Sequence, residues 1–143
     1  MHVGNESFLE VRYYETDMMS IVHHSNYVRY FEYGRCSLMK EMGMPIEEIE
    51  KRGFMMPVVD VYIKYKKTST MGDVLRIVST LDKEPMAKTY INTKIFNQNN
   101  ELVCLGTVTL GFIHKDTRKP CRAPKFYLDA LASVDTERKN LNN

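Results

Sequence analysis

The chain has 143 residues, which suits a single domain spanning residues 1–143 with enough length to bury a core. Hydrophobic residues make up 43% and charged residues 27%, and no run of about eighteen apolar residues is available to cross a bilayer. The net charge of +2 is too small to indicate a nucleic-acid binder, and the N-terminus lacks the features of a signal peptide. We therefore expect a cytoplasmic protein with neither a membrane nor a nucleic-acid partner.

The sulfur-containing residues give two further indications. Cys36, Cys104 and Cys121 lie far apart without a CxxC pair, which argues against a disulfide framework and against a zinc ribbon. Ten methionines are present, with adjacent pairs at residues 18–19 and 55–56. These pairs are either ordinary core residues or a pliable lining for a flexible apolar ligand.

The first part of the chain predicts a strand, an irregular turn and a long helix. Phe8–Tyr13 alternates with the period of a half-buried strand. Beyond the turn, apolar residues recur at spacings of three and four, which predicts a helix with one buried face. Ser25 or Asn26 is a suitable N-cap for this helix, and Gly43 marks its end.

The remainder of the chain predicts an antiparallel sheet. A short helix is expected at residues 46–53, a tight turn at 71–73, and one or two helical turns near the C-terminus. Extended runs occupy residues 54–67, 74–81, 88–96 and 102–113. Gly34 in the long helix indicates that the sheet packs closely against it. Gly106 and Gly111 in the last run indicate either bends or places where another element comes close. This order predicts an α+β domain in which a sheet wraps around one mostly buried helix.

The segment Tyr13–Arg35, YYETDMMSIVHHSNYVRYFEYGR, resembles the active-site segment of hotdog-fold acyl-CoA thioesterases of the 4-hydroxybenzoyl-CoA thioesterase type. The resemblance implies a five-stranded hotdog sheet around the central helix, a homodimer or homotetramer, and hydrolysis of acyl-CoA thioesters. Ser20 departs from the pattern, since the family usually has glycine there. If that position needs a positive φ, serine carries a conformational cost. The positions that match the motif are Asp17, Ile21, Val22, His24, Asn26 and Tyr27.

The residues of this turn fit thioester hydrolysis. Asp17, close to a helix N-terminus, can act as the nucleophile or as the general base for water. Free amides around His24 to Asn26 can form an oxyanion site, helped by the helix macrodipole. By resemblance, Tyr13 and His24 are candidates to orient the acid or the water. His23 is expected to point elsewhere.

Other kinds of site are disfavoured by the sequence. A metal site built from Asp17, His23 and His24 is rejected, because adjacent histidines rarely converge on one ion and no HExxH motif accompanies them. No GxSxG, GxGxxG or P-loop motif is present, so neither a serine hydrolase nor a nucleotide cofactor is indicated. We expect the enzyme to need no cofactor.

For substrate binding, we assign Asn26 and Tyr27 at the start of the helix, together with basic residues for the CoA phosphates. Two clusters could supply these basic residues. The first cluster is Lys64, Lys66 and Lys67, and the second is Arg118, Lys119, Arg122 and Lys125. Two alternative functions stay open, namely an acyl-ACP thioesterase of the same fold and a non-catalytic acyl-CoA binding protein. Ser20 would be a sign of a decayed site in the second alternative.

Overall fold

The computed structural model describes the backbone of residues 1–141 and the side chains of residues 1–138. Its helices are α1 Asn26–Glu41, α2 Ile46–Lys51, α3 Lys125–Val134 and α4 Thr136–Leu141, and a single 3-10 turn covers Tyr13–Glu15. Its strands are β1 Val3–Glu10, β2 Phe54–Met55, β3 Val58–Tyr65, β4 Val74–Leu81, β5 Lys88–Phe96, β6 Leu102–His114 and β7 Pro120–Cys121. The predicted α+β architecture is therefore confirmed for this part of the chain.

In the part of the chain that the structure describes, the sheet has seven strands rather than the expected five. The order β1-β4-β5-β6 is antiparallel, and β2, β3 and β7 all pair with β6. The difference comes from β6, which at 13 residues extends past its long neighbours, so that its far end pairs with the two-residue strands β2 and β7. Pro57 separates β2 from β3, because proline cannot donate a ladder hydrogen bond.

The first strand was predicted at the wrong bounds. It pairs with β4 from Val3 opposite Leu81 to Glu10 opposite Val74, and the partner strand then ends at a turn in which Gly72 has φ 89°. Because the ladder ends there, the chain leaves the sheet although its alternation continues. The C-terminal helix α3 is also longer than expected, with 10 residues.

Helix α1 packs against β1, β3, β4 and β5 and forms the centre of the core, with the side chains of Tyr30, Phe31 and Leu38 almost completely buried. A Cβ atom at Gly34 would lie 2.5 Å from Ile77 Cγ2 and 2.6 Å from the Ser79 hydroxyl. The predicted close approach of the sheet is therefore confirmed at Gly34, and Gly106 is similarly crowded by the Tyr62 carbonyl. At Gly111 an added Cβ would make only ordinary contacts.

Within the described residues, none of the helices has the length and apolar character that a membrane span requires.

Candidate active site

The turn that precedes α1 is closed by its own backbone. The amide of Asp17 donates to the carbonyl of Ile21 at 2.9 Å, and the amide of Ser20 donates to the carbonyl of Asp17 at 2.9 Å. Ser20 has φ 63°, so this position does require the left-handed conformation that glycine adopts most easily. Serine adopts it here with the turn intact.

The Asp17 carboxylate is half-buried and is held on one side only. Its Oδ1 atom accepts a hydrogen bond from the Met19 amide at 2.8 Å. Among the described residues, its Oδ2 atom has no hydrogen-bond partner. The carboxylate is thus fixed in direction while one oxygen stays available to a substrate or a water molecule.

The first residues of α1 are not capped as predicted. Ser25 occupies the N-cap position, but its side chain makes no capping hydrogen bond and instead lies 2.7 Å from His23 Nδ1. The Asn26 side chain is buried and donates from Nδ2 to the carbonyl of Glu15 at 2.7 Å. Both side chains therefore tie the helix to the turn rather than covering its first amides.

Of the three backbone amides predicted to form the oxyanion site, two are already hydrogen-bonded. The Asn26 amide donates to the His23 carbonyl at 2.9 Å, and the Ser25 amide is 3.2 Å from His23 Nδ1. Within the part of the chain that the structure describes, the His24 amide makes no hydrogen bond. His24 is therefore the residue of this group whose N–H is free to meet an oxyanion.

Glu15 is a structural residue of the site that the sequence reasoning missed. Its side chain is only 3% exposed, and its two oxygens accept hydrogen bonds from the Arg12 amide at 2.8 Å and the Arg12 guanidinium at 2.9 Å. Burial alone would raise the pKa of Glu15, but the Arg12 hydrogen bonds outweigh burial and leave this pKa below its usual value. Its carbonyl also accepts from His23 and Asn26. The i,i+3 spacing of Arg12 and Glu15 in the sequence could have indicated this ion pair.

The turn, the start of α1 and the end of β3 enclose a cleft of about 420 Å³, which we call the Asp17 cleft. Tyr27 and Tyr65 form one wall, with ring centroids 5.5 Å apart. The Tyr65 hydroxyl donates to the His24 carbonyl at 3.2 Å, and the His24 ring stacks on His23 at 4.2 Å. Burial raises the pKa of Tyr27, so its hydroxyl stays neutral at physiological pH. The residues lining this cleft are Asp17, Met19, Ile21, Val22, His24, Tyr27, Tyr65, Lys66, Lys67 and Thr68.

Several predicted site residues thus meet in one place. Lys66 and Lys67 line the cleft, and the Lys67 ammonium forms an ion pair with Glu101. Tyr13 is 78% exposed and lies outside the lining, and Lys64 and Asn26 are also outside it. The second basic cluster does not line this cleft either. Tyr65 was not predicted, because its position depends on the end of β3 meeting the start of α1.

The sequence profile of the thioesterase-like superfamily matches residues 11–131, so the chain belongs to that family. This match confirms the membership that the segment Tyr13–Arg35 predicted.

Individual relatives agree with this assignment. The chain is 34% identical over 139 residues to a Bacillus subtilis (strain 168) protein named "Putative acyl-CoA thioesterase YneP", covering 97% of this chain and 100% of that protein. It is 22% identical over 120 residues to the chloroplastic acyl-acyl carrier protein thioesterase ATL3 of Arabidopsis thaliana, covering 84% of this chain and 63% of that protein. A crystal structure of DHNA-CoA thioesterase from Staphylococcus aureus superimposes with a TM-score of 0.85 at 29% identity, covering 98% of this chain and 93% of that one.

Proposed function

We propose that the protein hydrolyses acyl-CoA thioesters to the free acid and CoA in the Asp17 cleft. Membership of the thioesterase-like superfamily and the similarity to an acyl-CoA thioesterase of B. subtilis support a thioester hydrolase. One observation carries the proposal for the site. A carboxylate with one free oxygen and an unbonded His24 amide belong to the same cleft, at the N-terminal end of α1.

The reaction needs a group that attacks or activates water, and Asp17 is the candidate for both roles. As a base, it takes a proton from the water whose oxygen attacks the thioester carbonyl carbon. As a nucleophile, its free oxygen attacks that carbon, and water then cleaves the resulting anhydride. In both cases the C–S bond breaks, and the CoA thiolate leaves and takes up a proton.

The carbonyl oxygen becomes negative during the attack and needs a donor. The His24 N–H and the positive end of the α1 macrodipole are suited to stabilise this charge. The His24 ring, exposed at the cleft, can orient the water or the acid. The orienting role of Tyr13 stays a prediction, as does the location of the protein in the cytoplasm.

For the CoA phosphates, the position of the first basic cluster favours it over the second. Lys66 and Lys67 line the Asp17 cleft, and among the described residues the Lys66 ammonium has no acidic partner. Changing both to alanine should raise KM for an acyl-CoA at low salt, and the difference should shrink at high salt because salt screens exposed charges. Changing Arg122 and Lys125 of the second cluster to alanine is the matched control, since both are exposed and line neither cavity. Unchanged KM for Lys66→Ala/Lys67→Ala at low salt would refute the assignment.

We also propose that the protein forms at least a homodimer through β3. In the described part of the chain, β3 pairs with β6 on one side only, which leaves the other edge unpaired. Val58, Val61 and Tyr62 on this strand are 50%, 38% and 59% exposed. An open, apolar edge of this kind favours pairing with another copy of the same strand. Sedimentation at micromolar concentration tests this, and an active monomer would contradict it.

A panel of acyl groups of different lengths, each carried on CoA and on ACP, tests the proposed reaction by release of free thiol. We expect turnover of at least one acyl-CoA. Preference for the ACP carrier by tenfold or more in kcat/KM would favour the acyl-ACP alternative, which the similarity to ATL3 suggests. No turnover on either carrier would favour the binding-only alternative. The intact turn at Ser20 argues against that outcome.

A further inference from the structure

A second cavity lies at the C-terminal half of α1 and shares no lining residue with the Asp17 cleft. Its volume is about 200 Å³, which is the space of roughly six or seven water molecules at about 30 Å³ each. Its walls are largely apolar and come from α1, α2, β2 and β6. Among the wall residues are Met39, Ile49, Met55, Met56 and Leu110.

The methionine pair at residues 55–56, which the sequence left unexplained, is part of this wall. Both side chains are only partly buried. Methionine is unbranched and polarisable, so it adapts to ligands of irregular or variable shape. The pair therefore fits the lining of an apolar ligand site.

One largely buried charged side chain, that of Arg35, adjoins these apolar walls. Arg35 lines the cavity, and its side chain is only 8% exposed. The nearest acidic atom is Glu32 Oε2 at 3.8 Å, on a side chain that is 67% exposed, and this separation is too long for a hydrogen bond. Among the described residues, the guanidinium donates no hydrogen bond. Burial lowers the pKa of Arg35, but a guanidinium remains charged in proteins.

A buried charge without hydrogen bonds is unfavourable, so this guanidinium has donors to offer to a ligand. Two other charged residues line the cavity, Arg118 and Glu50. The three charges sum to one positive charge, which one anionic group would balance. A carboxylate matches the planar fork of arginine with two parallel hydrogen bonds.

We propose that this second cavity binds an apolar chain ending in a carboxylate, with the carboxylate on Arg35 and the chain against the methionines. The proposal does not depend on the hydrolytic activity of the Asp17 cleft. Such a ligand has two possible sources, a free fatty acid or the far end of an acyl group that carries a second carboxylate. The experiment separates these two sources.

Isothermal titration calorimetry with octanoate, and with octanol as the uncharged probe, tests the site. The parent should bind octanoate more tightly than octanol. Arg35→Met should weaken octanoate binding at least about tenfold and leave octanol nearly unaffected, because it keeps the apolar stem and removes only the charge. Glu50→Gln should instead strengthen octanoate binding severalfold, because it removes a like charge from the cavity.

Equal affinity of the parent for octanoate and octanol, or unchanged octanoate binding in Arg35→Met, would overturn the proposal. If Arg35→Met fails to fold, two measurements still test the proposal: the affinities of the parent for octanoate and octanol, and the octanoate affinity of Glu50→Gln. In that case, octanoate binding by Glu50→Gln that is no stronger than in the parent counts against the proposal. Hydrolysis of adipoyl-CoA and hexanoyl-CoA distinguishes the sources. If Arg35→Met lowers kcat/KM for adipoyl-CoA but not for hexanoyl-CoA, the ligand is the far end of an acyl group. If Arg35→Met changes kcat/KM equally for both substrates and also weakens octanoate binding, the ligand is a free fatty acid.

Discussion

Replacing Asp17 with asparagine separates the chemistry proposed for its carboxylate from its contribution to the turn. The Oδ1 atom of asparagine can still accept the Met19 amide, which lies 2.8 Å from this position in the structure. The free Oδ2, which has to attack or take a proton, becomes an amide nitrogen that can do neither. The substitution therefore removes the proposed function while keeping the local hydrogen bond.

The expected loss of stability is small. Removing a negative charge near the N-terminus of α1 costs about 0.3–1 kcal/mol. With 143 residues and an unfolding entropy of about 2.1 cal/mol/K per residue, each kcal/mol lowers Tm by about 3 °C. Asp17→Asn should thus lower Tm by about 1–3 °C. Asp17→Ala also loses the Met19 hydrogen bond, for a total of about 1–2.5 kcal/mol, or about 3–8 °C.

The expected loss of activity is large. A catalytic base or nucleophile contributes a factor of about a hundred or more, which corresponds to about 2.7 kcal/mol of the barrier. Thiol release with the best acyl-CoA should show kcat reduced at least that far in both variants, with KM little changed in Asp17→Asn. Asp129→Asn on the exposed side of α3 is the control and should leave kcat unchanged. If Asp17→Asn retains kcat within about threefold of the parent, the assignment is wrong.

Three further predictions concern the framework of the site. Ser20→Gly should raise Tm by about 1–2 °C in calorimetry. Relief of the strain of the left-handed conformation slightly exceeds the conformational entropy that glycine adds to the unfolded chain. A fall in Tm would contradict this. Gly34→Ala should cost about 1–3 kcal/mol in urea unfolding, because its Cβ would collide with Ile77 on β4, and an unchanged midpoint would be the contrary result. The Arg12 hydrogen bonds lower the pKa of Glu15 in the folded state. Their contribution to the free energy of unfolding is therefore complete above the pKa of Glu15 in the unfolded chain, about 4.3, and is lost as the pH falls through its pKa in the folded state. Glu15→Gln should therefore flatten the acid side of the stability profile, and parallel profiles would refute this.

Several elements and the family of the chain were predictable from the sequence alone. The periods of alternation placed β4 and β5 at the bounds the structure has, and the motif from Tyr13 to Arg35 identified the family. The resemblance also singled out Ser20 as a position where a positive φ would matter, and its φ is 63°. These properties are local, since they depend on side-chain period, turn conformation and the order of residues along a short stretch.

Which of these residues share a site depends on how distant parts of the chain pack together. Tyr65 lies far along the chain from the turn and reaches His24 because β3 ends beside the start of α1, whereas Tyr13, within the motif, stays exposed. Among the described residues, the amides of Ser25 and Asn26 are occupied by His23, two and three residues earlier in the chain, which leaves the His24 amide free. Arg35 on α1 is buried beside a cavity that α2 and β2 help to form, and among the described residues its guanidinium donates no hydrogen bond. For Tyr65 and Arg35, contacts between distant segments set the outcome, and no local pattern encodes it.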